Sequence, residues 1–274
     1  MSLSPAKKRK GNVSSALEKV LAEAEALPQT RDGWDVKSGL LHLIQADSQF
    51  VRIIEEHGIP SQFREMRGHE GGWEEKRPPF HSLLKTIIFQ QLAGAIAEPI
   101  LQRVLRAAGV KEGKFAQPED FHKVKWEVVF VDGKKKVRAN GVVTGLSENK
   151  YKGIVSLTEH FLDPKCLGGG LDIASLPAPE LRERLLAVRG LGPWSVDMFS
   201  MFSLQKADIF PVGDLAVKRA AQRMYGIPEK DDRQSIAQLL ERTACWSPYS
   251  TLGSCYMWKL QDSNKAKKKK KKEN

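Results

Sequence analysis

Residues 188–215 read VRGLGPWSVDMFSMFSLQKADIFPVGDL, and the fold turns on this stretch. Gly190 and Gly192 enclose one apolar residue between two segments of helical pattern. A tight turn that opens a helix points unpaired backbone N–H groups outward, which suits a phosphate. Pro193 sits at a first helical position, where a missing N–H costs nothing. Two carboxylates follow, Asp208 and Asp214, the second placed to cap a helix running from Leu215 to Tyr225. An acid held beside a phosphate grip is within reach of the neighbouring sugar.

Outward from this stretch the pattern stays helical. Ser15-Ala-Leu-Glu18 has the form of a capping box opening a short polar helix. Apolar residues at helical spacing run from Ser38 to Ile54, closed by Gly58 and Pro60, and residues 61–79 read as a loop. HSLLKTIIFQQLAGAIAEPILQRVLRAAG predicts a second long helix, interrupted at Gln90-Gln91 and open to a bend or division at Pro99. Further helices are predicted from Ser147 to Phe161, Ala178 to Val188, Pro193 to Leu204 and Gln234 to Thr243. One segment breaks the rhythm. EVVFVDGKKKVR, residues 127–138, sets Asp132-Gly133 between a β-branched run and a basic run, the signature of a hairpin. Its lysines, with Arg138, serve equally well as a DNA contact or as a solvated surface.

Composition narrows the function. The chain has 274 residues and 41% hydrophobic content, enough for one large or two fused helical domains. No apolar run approaches the roughly 20 residues of a membrane span, and the start MSLSPAKKRK lacks the apolar segment of a secretory signal. Of the formal net charge of +11, Lys7, Lys8, Arg9 and Lys10 carry +4 and residues 265–274 carry +6, which leaves +1 for residues 11–264. Like-charged runs resist compaction, so both ends are expected to be disordered. They fit nuclear-import signals, non-specific DNA tethers or solubilising tails. Three cysteines, Cys166, Cys245 and Cys255, suit a reducing compartment and cannot supply four thiolates to an iron–sulfur cluster. The six histidines lack zinc-site spacing, and no metal or organic cofactor is expected.

LRERLLAVRGLGPWSVDMF followed by DIFPVGDLAVKR resembles the helix-hairpin-helix-Gly/Pro-Asp motif of DNA glycosylases, and within them the 3-methyladenine (alkylation-repair) branch. IIFQQLAGAIA is similar to that branch's QQ helix, GLSENKYKGI to its G-L-S-x-x-K segment and WSPYSTLGSCYMW to its C-terminal aromatic helix. The resemblance spans about residues 38–260. It implies an all-α, two-lobed helical bundle carrying the hairpin motif, to which the sequence of 127–138 adds a short two-stranded β insertion that departs from the family pattern. The expected organisation is a flexible basic arm over 1–36, a glycosylase domain over 37–262 and a lysine-rich tail over 263–274.

The resemblance also assigns roles. Asp214 becomes the catalytic aspartate, stabilising positive charge on the deoxyribose as the N-glycosidic bond breaks and orienting or deprotonating the attacking water. Asp208 becomes a structural neighbour. Arg189, Gly190, Leu191, Gly192 and Trp194 form the DNA-holding hairpin. Relatives that also cut the backbone carry a Schiff-base lysine at the place of Trp194, so its indole implies hydrolysis alone. Trp194 is expected to line the base pocket, where a cationic purine stacks on an electron-rich ring, or else to pack under the hairpin; Tyr256 and Trp258 are pocket candidates too, although helical spacing favours the core for such aromatics. Gln91, with Leu92 beside it, is the expected plug for the gap left by an everted base. The insertion departs from the family pattern and borrows no contacts from it, so Lys134, Lys135, Lys136 and Arg138 are candidate contacts on their own sequence alone. The implied activity is removal of 3-methyladenine or 7-methylguanine from double-stranded DNA by a nuclear monomer. The runner-up is a non-catalytic DNA-binding protein using the hairpin alone.

Overall fold

The computed structural model describes residues 14–64 and 77–273, the last ten by backbone alone. In chain order it contains α1 (Ser15–Glu25), α2 (Val36–Ala46), α3 (Gln49–His57), α4 (Ser61–Arg64), α5 (Pro79–Phe89), α6 (Gly94–Ala107), α7 (Pro118–His122), β1 (Trp126–Val131), β2 (Lys134–Ala139), β3 (Val142–Val143), α8 (Glu148–Leu162), α9 (Ala178–Leu186), α10 (Pro193–Phe202), α11 (Leu215–Met224), α12 (Arg233–Thr243) and α13 (Ser250–Glu273). The chain forms two compact units, one from residues 1–69 with 216–274 and one from residues 70–215. The basic run at 7–10 lies outside the described residues.

The first unit joins both ends of the chain. α1 starts one residue earlier than its sequence pattern suggests, because Ser14 is the N-cap and its Oγ accepts from the Leu17 amide at 3.2 Å. Leu17, Val20 and Ala24 are buried, so residues 15–25, within the span expected as an arm, are packed helix. Asp35 caps α2, accepting from Ser38 N at 2.7 Å. Phe50, Trp246 and Tyr256 are fully buried and meet at ring distances of 5.3 Å (Phe50–Trp246) and 6.0 Å (Phe50–Tyr256). Each such burial stabilises the unit by about 1.5–3 kcal/mol. The expected lysine-rich tail is continuous with helix, since the α13 backbone runs on to Glu273.

The second unit is built around α5, whose Phe80, Leu83, Leu84, Ile87 and Ile88 are buried against side chains of α6, α8, α9 and α10. The predicted long helix divides at Gln90-Gln91 and not at Pro99, which stays inside α6. The reason is a lysine. Lys150 Nζ donates to the carbonyls of Ile88 at 2.7 Å and Gln90 at 2.8 Å, satisfying groups that a helix end leaves without partners. Gln91 then turns left-handed at φ 57°, an uncommon conformation for a residue with a Cβ.

The insertion is a three-stranded antiparallel sheet in the order β1-β2-β3, one strand more than expected. Asp132 and Gly133 both have positive φ, as the hairpin turn demands, and Asn140-Gly141 repeats the device to bring back β3. Asn-Gly was legible in the sequence as a second turn. Trp126 stacks on Tyr151 of α8 at 5.8 Å, and Val137 and Ala139 are buried, so the ribbon is fixed to the unit.

Candidate active site

α9 ends at Leu186 and α10 begins at Pro193, with the glycine turn between them. Gly190 has φ 87°, a left-handed conformation that disfavours any side chain. Leu191 points inward and is buried, anchoring the turn between its two glycines. Among the described residues no acceptor takes the Gly190 or Gly192 amide, so both remain available to an incoming oxygen. A Cβ on Gly192 would meet nothing within 4 Å, so the approach to that amide is open.

Three residues hold the turn in place. Ser156 Oγ accepts from the Arg189 amide at 3.1 Å. Gln90 Nε2 donates to the Gly190 carbonyl at 2.8 Å and to Ser195 Oγ at 3.2 Å. Gly153 of α8 permits close packing, since a Cβ there would lie 3.0 Å from the Arg189 carbonyl. The first glutamine of the pair is therefore structural. The second, Gln91, is exposed, while Leu92 is partly buried against the core. Of the two plug residues only Gln91 is exposed, and it stands on a strained backbone of the kind that gathers at functional sites.

The chemistry centres on Trp194 and Asp214. Trp194 lies in the first turn of α10 and is 47% exposed, too open for a residue whose role is core packing. Its indole Nε1 donates to Asp214 Oδ2 at 2.9 Å. Asp214 directly precedes α11, is partly buried, and its own amide donates to the Pro211 carbonyl at 2.8 Å. Leu215 beside it is 59% exposed, an apolar side chain at the site's edge that the sequence reading passed over. A fixed carboxylate, an open aromatic face and the two unpaired glycine amides thus gather where the turn meets α10. On the inner side of α10, Asp197 is buried against Arg182; burial pushes its carboxyl up, and the guanidinium partly offsets this.

Other expected site residues lie elsewhere. Tyr256 belongs to the first unit, is fully buried and donates its hydroxyl to the Gly58 carbonyl at 3.0 Å. It is a core residue with its polar atom engaged, so its assignment to the base pocket is withdrawn. Trp258 is half-buried on α13 of the same unit. Asp208 is exposed in the segment between α10 and α11. Arg138 is not at the ribbon tip as its sequence position suggests: it pairs with Glu127 on one side and Val143 on the other, half-buried in the central strand. Lys150, the lysine of the G-L-S-x-x-K segment, was given no role by the sequence; it caps α5, and its desolvation holds the ammonium below the usual lysine range.

The chain is similar to known proteins over most of its length. It is 24% identical over 219 residues to DNA-3-methyladenine glycosylase 1 of Schizosaccharomyces pombe, covering 80% of this chain and 85% of that protein. A DNA-3-methyladenine glycosidase crystal structure from Bacillus halodurans superposes with a TM-score of 0.61 at 27% identity, covering 81% of this chain and 88% of the other. The S. pombe 3-methyladenine DNA glycosylase in complex with abasic DNA matches at TM-score 0.55 and 23% identity, covering 81% and 95%, a likeness of fold. The sequence profile of the HhH-GPD superfamily base excision DNA repair proteins matches residues 84–245, which takes in the QQ helix, the hairpin, Trp194 and Asp214. With more than half its length under that profile, the chain belongs to the HhH-GPD superfamily of base excision DNA repair proteins.

Proposed function

We propose that the protein is a monofunctional DNA glycosylase that removes alkylated purines of the 3-methyladenine and 7-methylguanine type, leaving an abasic site. The observation that carries this is the hydrogen bond from Trp194 to Asp214 beside the unpaired hairpin amides. The amides take a phosphate of the damaged strand, which sets the adjoining sugar near Asp214. As the N-glycosidic bond breaks, its electron pair goes to the base and positive charge grows on the deoxyribose. The Asp214 carboxylate stabilises that charge and orients the water that adds to C1′. An N3- or N7-alkylated purine is already cationic and departs neutral, so no general acid is required to protonate it. The Trp194 ring offers that cation an electron-rich face. Gln91 occupies the space that the everted nucleotide leaves.

With an indole at the place of the Schiff-base lysine, the strand is left uncut. The similar proteins named above as 3-methyladenine glycosylases support the same chemistry. We read the protein as a monomer acting on damaged duplex DNA, directed to the nucleus by its basic ends.

The test is to incubate the protein with methylated duplex DNA and identify the released bases. Release of 3-methyladenine and 7-methylguanine without nicking is expected. Equal or faster release of uracil or hypoxanthine, or borohydride trapping of the protein on DNA, would overturn the reading.

A further inference from the structure

Beyond the hairpin and its aspartate, the second unit carries a feature that base release does not use. At its far end the ribbon is two strands wide, with Val131 paired to Lys134, Phe130 to Lys135 and Val129 to Lys136. Directly paired residues share a face, so Lys135 projects beside Phe130 while Lys134 and Lys136 project on the opposite side. Phe130 is 70% exposed, the most exposed of the large apolar side chains described. An aromatic ring held that far into solvent, on a ribbon with cations on both faces, is unsuited to a passive surface.

The ribbon is also stiff and continuous with the hairpin. Trp126 is stacked on Tyr151, the Asn140 side chain donates to the Ala107 carbonyl at 2.9 Å, and Arg103 Nε donates to the Thr144 carbonyl at 2.9 Å. Lys135 lies 3.9 Å from Glu148 at the start of α8, and Lys152 reaches the same carboxylate at 2.6 Å. The charge of Arg189 adds to theirs in holding Glu148 below the usual carboxylate range, and Arg189 directly precedes Gly190. A line of cations therefore runs from the phosphate-binding turn to the ribbon tip. Exposed ion pairs such as Lys135–Glu148 are weak and yield readily to a phosphate.

We propose that the ribbon tip is a second DNA-binding element that enters a groove of the duplex beside the lesion, its lysines meeting the phosphates of both strands and Phe130 the apolar edge between them. A major groove about 12 Å wide admits a two-stranded ribbon, and cations on both faces fit a groove better than a flat partner. The occupant is the same duplex that the proposed glycosylase acts on, and the inference rests on that reading. Because the ribbon is already fixed, docking costs little ordering.

The test measures the affinity of the full-length protein for a duplex bearing an abasic-site analogue, across a salt series. Replacing Lys134, Lys135 and Lys136 together by Ala should weaken binding about tenfold or more at 0.15 M salt and reduce the slope of log affinity against log salt by about 2 to 3. The corresponding triple Arg variant should retain the slope. Phe130→Ala should weaken binding several-fold and leave the slope alone. Thermal melts show whether each variant is folded, and the ribbon's position makes a folded product the expected one. Unchanged affinity and slope in both variants would overturn the proposal, as would loss of a dimer, detected by sedimentation, in place of loss of DNA. A wild-type protein that binds the duplex but frees no methylated base would sink the activity and leave this binding result standing.

Discussion

Trp194 and Asp214 are twenty residues apart in the chain and joined in space by one hydrogen bond, indole Nε1 to carboxylate Oδ2, at 2.9 Å. The bond ties the acid to the helix that directly follows the glycine turn with its unpaired amides. One rigid piece therefore sets both the phosphate position and the direction of the negative charge. For a reaction whose barrier is a developing sugar cation, fixed placement of that charge is worth more than its mere presence.

Asp214→Asn keeps the size and the acceptor oxygen and removes only the charge. Base release in single turnover should fall by at least about 10³-fold, while affinity for an abasic-site duplex stays within a few-fold of wild type. Loss of DNA affinity with release intact would remove Asp214 from the chemistry.

Trp194→Phe separates the ring from its N–H. A hydrogen bond to a charged acceptor contributes about 1.5–3 kcal/mol, and exposure places this one at the lower end. Release of 7-methylguanine should drop roughly tenfold, with a larger drop for Trp194→Ala, which also removes the stacking face. Equal rates for wild type and Phe would show that the bond does not orient the acid.

The two adjacent glutamines should respond in opposite ways. Gln90→Leu strips the Gly190 carbonyl and Ser195 hydroxyl of a donor, and should lower stability by about 1–2 kcal/mol, read as a fall in melting temperature. Gln91→Gly relieves a side chain at φ 57° and should melt no lower than wild type, yet release bases more slowly. A lower melting temperature for the Gln91 variant with full activity would reverse these assignments.

These contrasts mark what the sequence could and could not convey. The hairpin was legible because glycine, proline and acid each need their own backbone setting, and local rules place them. The break after Gln90 was visible as a polar interruption, but its cause was not. Lys150 caps α5 from 60 residues away in sequence, a tertiary event that no local pattern encodes. Tyr256 is a related case: helical spacing favoured the core for the aromatics of this segment, and its hydroxyl on the Gly58 carbonyl places it there instead of in the pocket. The third strand is different, since Asn140-Gly141 carried the turn signal openly. The strand it returns has only two residues, Val142 and Val143, too few to register as a periodic run.

His81 gives the fold a specific sensitivity to acid. It lies on α5, is buried, and its Nδ1 accepts from the Ala116 amide at 3.0 Å, which requires the neutral ring. Burial, with the charges of Arg77 and Lys85 nearby, lowers its pKa from 6.5 to about 4. Between those values the unfolded chain binds more protons than the folded one, so stability is full above pH 6.5 and is lost as pH falls toward 4. The full shift corresponds to about 3 kcal/mol, reduced to on the order of 2 because the ring borders an open cavity lined by Arg77, Lys85 and Glu98. His81→Asn retains an acceptor for Ala116 but does not titrate. Urea unfolding of both proteins at pH 7 and pH 4.5 cancels the contribution of the carboxylates they share. The wild type should lose more stability than the variant over that interval, and parallel losses would show that His81 does not carry the acid response.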